Sequence, residues 1–96
     1  MRPSEALARH RTEVLAIIAR YPVANPRVFG SVARGEDVEG SDIDILIEPR
    51  GRMSYFDLAK LACELEEALG CKVDLGEADS MRTHAAAGIL ADARPI

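Results

Sequence analysis

Asp42 and Asp44 stand two apart in Ser41-Asp42-Ile43-Asp44-Ile45-Leu46-Ile47, a β-branched run that alternates over its first half. On a strand, that spacing turns both carboxylates to one face and Ile43 and Ile45 to the other. Aspartate is a poor strand former and like charges this close repel, so the pair carries a cost. A divalent cation that takes oxygen ligands from both relieves the repulsion. An isolated Asp-x-Asp more often marks a solvated strand start, so the pair needs company. Asp74, bracketed by Val73 and Leu75 in a second apolar run, joins it where the two strands are neighbours. Three convergent carboxylates can hold one or two magnesium ions, which clamp the attacking and leaving oxygens of a phosphoryl displacement.

Gly30-Ser31 follows the short apolar run Val28-Phe29, where a strand would end and a short helix begin. Glycine lets the backbone approach an anion, serine adds a hydroxyl donor, and free N–H groups at a helix start favour phosphate. Such dipeptides also mark ordinary turns. Arg34 can neutralise a phosphate oxygen or simply close the helix beside Gly35. Three rival motifs fail. Gly30 and Gly35 have phosphate-loop spacing, but Glu36 and Asp37 follow where Lys-Ser/Thr is required. Asp37, Glu39, Ser41 and Glu48 match a calcium loop in spacing, but Asp42 occupies the place of its sharp-turn glycine. Ser31 with His10 or His84 lacks a nucleophile elbow.

The elements that must position these residues are legible in outline. A helix starts near Ser4, with Glu5 in its first turn, and continues through Leu7, Val14, Leu15, Ile17 and Ile18 to Pro22. Tyr21 to Pro26 reads as a loop, Arg27 to Phe29 as a strand, and Gly35 to Gly40 as an acidic turn. Asp42 to Ile47 is the clearest strand, ended by Pro49 and Gly51. Ser54 with Asp57 forms a capping-box pattern, and Leu58, Leu61, Leu65 and Leu69 form a helical stripe closed by Gly70. Tyr55 and Phe56 are expected to anchor packing, and Glu64, Glu66 and Glu67 to make a solvated helix face. Lys72 to Leu75 is a third strand, and Met81, Ala85 and Ile89 place a last helix, with His84 on it, before Pro95. The order α-β-α-β-α-β-α gives an α/β (α+β) fold, a small mixed sheet with helices packed on it.

Ninety-six residues, 48% hydrophobic, support one domain spanning 1–96 with one core and one site. A large substrate must therefore be supplied by another chain. The net charge of −4 disfavours direct nucleic-acid binding along a phosphate backbone, though not a local nucleotide site. Cys63 and Cys71 fit neither a metal motif nor a disulfide scaffold, and no apolar run reaches bilayer-spanning length. These features lead us to expect a soluble, cytoplasmic chain with no membrane partner.

Together, Phe29-Gly30-Ser31-Val32-Ala33-Arg34-Gly35 and Ser41-Asp42-Ile43-Asp44, with ten residues between Gly-Ser and Asp-x-Asp, resemble the signature of the minimal nucleotidyltransferases of the DNA polymerase beta superfamily. The resemblance extends to the leading helix, the carboxylate after Lys72-Val73 and the tail Ile89-Leu90-Ala91-Asp92-Ala93. It implies a nucleotidyltransferase fold in which Gly30 and Ser31, with Arg34, hold a triphosphate. Asp42 and Asp44 would ligate Mg2+, and Asp74 would complete the metal site and assist deprotonation of the acceptor hydroxyl. Stand-alone members of this size resemble antitoxins that silence a HEPN-type ribonuclease toxin by moving AMP from ATP to a toxin tyrosine. Alternatives are an antitoxin that acts by binding alone, and a transferase for a small-molecule or RNA acceptor. Gly76-Glu77-Ala78-Asp79, after Asp74, departs from the familiar pattern.

Overall fold

A computed structural model describes residues 1–77 and 93–96. Helices α1 (Pro3–Arg9) and α2 (Arg11–Ile18) precede strand β1 (Val23–Phe29) and the single-turn helix α3 (Gly30–Arg34). Strand β2 (Ile43–Pro49), helix α4 (Tyr55–Leu69) and strands β3 (Val73–Glu77) and β4 (Arg94–Pro95) follow. The sheet order is β3-β2-β1-β4, with β2 and β3 parallel and the other pairs antiparallel. The last helix expected over Met81 to Ile89 and His84 upon it lie outside the described residues. Among the described residues, no helix is long and apolar enough to cross a membrane.

β2 is the organising strand. Ile43, Ile45 and Ile47 are fully buried and share a cluster with Val14, Ile17 and Ile18 of α2 and Leu61, Leu65 and Leu69 of α4. The alternate positions, Asp44 and Leu46, turn to the opposite sheet face. Parallel pairing of β2 with β3 needs a long crossover, and α4 supplies it. Its ends are built as the sequence suggests. Ser54 Oγ accepts the Asp57 N–H at 3.2 Å, Asp57 Oδ2 accepts the Ser54 N–H at 3.1 Å, and Gly70 closes the helix at φ 73°.

Several expectations are revised. The first helix is broken at His10 (φ −110°, ψ 19°). A straight helix carrying Leu7 and Val14 inward would bury His10 or Arg11 between them. The break lets both apolar segments face the core without that cost. α1 begins with Pro3 at its first position, so Ser4 is not the cap. Instead, the Ser4 N–H donates at 2.9 Å to Asp37 Oδ2, which lies in the segment read as an acidic turn. β1 runs back to Val23, through the segment read as a loop. Its pairing with β2 slips between Ala24 and Arg27, and Asn25 takes φ 52°. The resulting bulge accommodates Pro26, which has no N–H to donate.

Of the α4 glutamates, Glu67 is exposed as expected, but Glu64 and Glu66 are not simply solvated. Glu64 accepts Tyr21 Oη–H at 2.5 Å and pairs with Arg20 at 2.6 Å. Burial, reinforced by that carboxylate, pushes the Tyr21 hydroxyl up to about 12. Glu66 accepts the Val73 N–H at 3.1 Å, tying α4 to the start of β3. Tyr55 and Phe56, by contrast, are exposed and anchor no packing.

Asp37 is buried at 3% exposure, and burial alone would raise its carboxyl; the bonds from Ser4 outweigh it and hold the group below its ordinary value. A depressed carboxyl stabilises the fold above the unfolded pKa and loses that contribution as pH falls through the folded one. Asp37→Ala should cost about 1–2 kcal/mol at pH 7 in urea unfolding. The gap from wild type should narrow as pH drops below about 4.

Candidate active site

The site is assembled at one end of β1, β2 and β3. β1 ends at Phe29, whose Cα partner on β2 is Asp44. The chain then turns at Gly30, φ +70°, directly into α3. A side chain at this position would collide with Asp44 Oδ2. The glycine is therefore needed twice, for the left-handed turn and for the close approach of the carboxylate. Ser31 follows, half-buried, in the first turn of α3. Gly35 ends this helix at φ 72°, and the Glu36 N–H bonds back to the Ser31 carbonyl at 2.8 Å.

Parallel pairing sets Asp44 opposite Asp74, with Ile43 opposite Val73 one step earlier. The Ile43 N–H donates to the Lys72 carbonyl at 2.9 Å, so the two strands start in step. Adjacent strands lie about 4.8 Å apart. Asp42 was expected inside the strand but precedes it, because β2 begins at Ile43. It stays within electrostatic reach all the same. The Asp44 carboxyl is raised by burial first, then by the negative charges of Asp74 and Asp42, while the Arg34 guanidinium pulls it back down. Arg34 also pairs with Glu36 at 3.2 Å. Asp42, Asp74 and Arg34 therefore all act electrostatically on Asp44, beside the glycine turn.

A cavity of about 680 Å3 opens beside Asp42, lined by Pro3, Ala6 and His10 on one side and Leu69 to Lys72 on the other. Cys71 lies on its wall, its thiol pushed up by burial and by Asp42. Sequence reasoning missed Asp37, which ties α1 to the loop that delivers Asp42. Its buried setting has no local sequence mark, because the partner backbone lies 33 residues away. Glu77, at the end of β3, pairs in register with Ile47, and Asp79 lies outside the described residues.

A family model described as the nucleotidyltransferase domain matches residues 10–96. Protein adenylyltransferase MntA of Thermococcus cleftensis is 36% identical over 84 residues, covering 88% of this chain and 82% of the relative. A Methanocaldococcus jannaschii protein named for protein adenylyltransferase activity is 43% identical over 65 residues, 68% of this chain and 70% of its own. A solved structure named as a minimal nucleotidyltransferase superposes with a TM-score of 0.84 at 36% identity, over 97% of this chain and 95% of that one. A toxin–antitoxin crystal structure with AMP-PNP shares the fold, with a TM-score of 0.76 at 22% identity over 88% and 69% of the two chains.

Two outcomes follow from this geometry. Gly30→Ala should cost about 1–3 kcal/mol, since a strained backbone angle and a displaced Asp44 carboxylate combine. Thermal unfolding measures it. Asp44→Asn should raise the melting temperature of the ligand-free protein at pH 7. A carboxyl whose folded pKa is raised contributes most below its unfolded value and loses that contribution as pH rises through the folded one. The advantage of the asparagine variant should therefore vanish as pH falls below about 4.

Proposed function

The chain belongs to the nucleotidyltransferase domain family, and on that premise we propose that it is a magnesium-dependent protein adenylyltransferase. Its acceptor in this reading is a tyrosine of a HEPN-type toxin protein, and its donor is ATP. The chain then serves as the antitoxin of the pair. The observation that carries the reading is the register that sets Asp44 beside Asp74 and against the Gly30 turn. The relatives named for protein adenylyltransferase activity support the reaction class.

The donor set suits magnesium, which takes hard oxygen ligands and keeps several waters while using one or two carboxylates and substrate phosphates. Among the described residues no three acidic, histidine or cysteine side chains already converge on a metal. A site completed by the nucleotide's phosphates does not need such a closed cage. When bound, the ion supplies positive charge against the charge that develops on the transferring phosphoryl group. Asp42 and Asp44 would hold it.

Gly30 would let the backbone come close to the triphosphate, Ser31 would donate its hydroxyl to a phosphate oxygen, and Arg34 would offset phosphate charge. The acceptor oxygen bonds to the α-phosphorus, the bond to the β-phosphate oxygen breaks, and pyrophosphate leaves. Asp74 would take the acceptor's proton. A carboxylate is far too weak a base to ionise a tyrosine hydroxyl beforehand. The proton therefore passes to Asp74 as the oxygen–phosphorus bond forms.

Co-expression with the protein encoded beside this chain, followed by intact-mass measurement, tests the reading. Its mass should rise by one or more adenylyl groups, and the Asp42→Asn/Asp44→Asn double variant should abolish the gain. A stable complex without mass gain would mean neutralisation by binding alone. Asp74→Asn should keep most ATP affinity by calorimetry while single-turnover transfer falls about a hundredfold, the scale of general-base loss. Transfer at the wild-type rate would move the base elsewhere, with Glu77 the next to replace.

A further inference from the structure

α4 has a second face that neither the core nor the carboxylate site uses. Phe56, Lys60, Cys63 and Glu67 recur at helical spacing along it. Phe56 is 88% exposed, an unusual place for a large apolar side chain at the head of a well-capped helix. Cationic Arg52 precedes it in the approach to the helix, and Lys60 lies one turn on. The far end of the same helix has the opposite character. There a groove of about 600 Å3 runs between α2 and α4, floored by Ala16, Ile17 and Ala68 and rimmed by Glu13, Glu67 and the Arg20–Glu64 ion pair. One end offers an aromatic knob with cations. The other offers an apolar socket whose rim is net acidic, with Glu13 and Glu67 beside the Arg20–Glu64 pair.

We propose that α4 pairs antiparallel with α4 of a second copy about a two-fold axis between Leu61 and Ala62, seating Phe56 of each chain in the α2/α4 groove of the other. This register sets Phe56 against Glu67, Ala59 against Glu64 and Lys60 against Cys63 of the second copy. Lys60 then lies between Glu64 and Glu67 across the interface. The small side chains Ala59 and Cys63 flank the axis, where two helices must approach to about 8–10 Å. The contact is isologous, so it closes at two copies and builds no filament. Aromatic residues in apolar sockets ringed by charge are the usual energetic centres of protein interfaces.

Charge complementarity within one chain is what selects a second copy as the occupant. A stacked nucleic-acid base would also meet an exposed aromatic and a lysine. It would, however, bring phosphates toward the Glu64 and Glu67 end of a chain whose net charge is −4. The helix is 15 residues long, or about 22 Å. One face of that length falls at the low end of the roughly 1,200–2,000 Å2 buried by stable complexes, so the association should be micromolar rather than tight. The interface lies on the helix side of the sheet, opposite Asp44 and Asp74. Both active sites stay open in the dimer.

Sedimentation equilibrium of the purified chain should show a monomer–dimer equilibrium. Phe56→Glu should weaken it at least tenfold with the melting temperature unchanged, since the residue touches little in the monomer. Lys60→Glu and Glu67→Lys should each weaken it, and the two combined should associate more tightly than either alone, because the facing charges are exchanged together. In a Cys71→Ser background, a short bismaleimide should join two chains through Cys63, and Phe56→Glu should prevent it. Adenylyl transfer per chain should be unaffected by Phe56→Glu. A monomer at every concentration up to millimolar overturns the proposal. So does a dimer indifferent to Phe56→Glu, or a double charge exchange no tighter than the single ones.

Discussion

The structure turns on the pairing of β2 with β3 in parallel register, which sets Asp44 directly beside Asp74. Like charges opposite each other on neighbouring strands cost on the order of 0.2–1 kcal/mol. The strand bears that cost through its other face. Ile43, Ile45 and Ile47 are fully buried, and each such side chain contributes about 1.5–3 kcal/mol. Burial outweighs repulsion several-fold, so the alternation of one strand fixes both the core and the chemistry. A slip of one residue would bury Asp44 in the helix layer and turn the isoleucines outward.

Around that strand, polar contacts hold the helices at the positions the site requires. Glu66 binds the Val73 N–H and so sets where β3 starts. Asp37 takes the Ser4 N–H, fastening α1 to the loop that ends at Asp42. Tyr21 and Arg20 converge on Glu64 and lock α2 to α4. The last two contacts join segments far apart in the chain, and the acceptor in all three is acidic. Part of the negative charge of this protein is thus structural and not a solvated surface.

The sheet divides the molecule by function. One side carries Asp44 and Leu46; Leu46 is fully buried, and the partial burial of Asp44 raises its carboxyl. On the other side the helices cover the isoleucine face. α4 there presents an outward stripe whose two ends complement each other in shape and charge. In the proposed dimer, association through α4 would leave the approach to the carboxylates clear.

Much of this was legible in the sequence because it rests on local rules. The strand through Ile43 to Ile47, the capping box of Ser54 and Asp57, and the glycine stop at Gly70 depend on neighbours within a few residues, so spacing alone determines them. The place of Gly30-Ser31 at a strand-to-helix turn was readable for the same reason. Tertiary structure decided what depends on distant partners. It broke the first helix at His10, where two apolar segments had to reach one core without burying a polar turn. It extended β1 through Asn25 and Pro26 by a bulge that only the pairing with β2 could stabilise. It buried Asp37, whose partner is 33 residues away, and left Phe56 in the open, since an aromatic residue packs only where the fold places a surface against it. Composition and periodicity cannot report contacts of that kind, because they carry no information about which distant segments will meet.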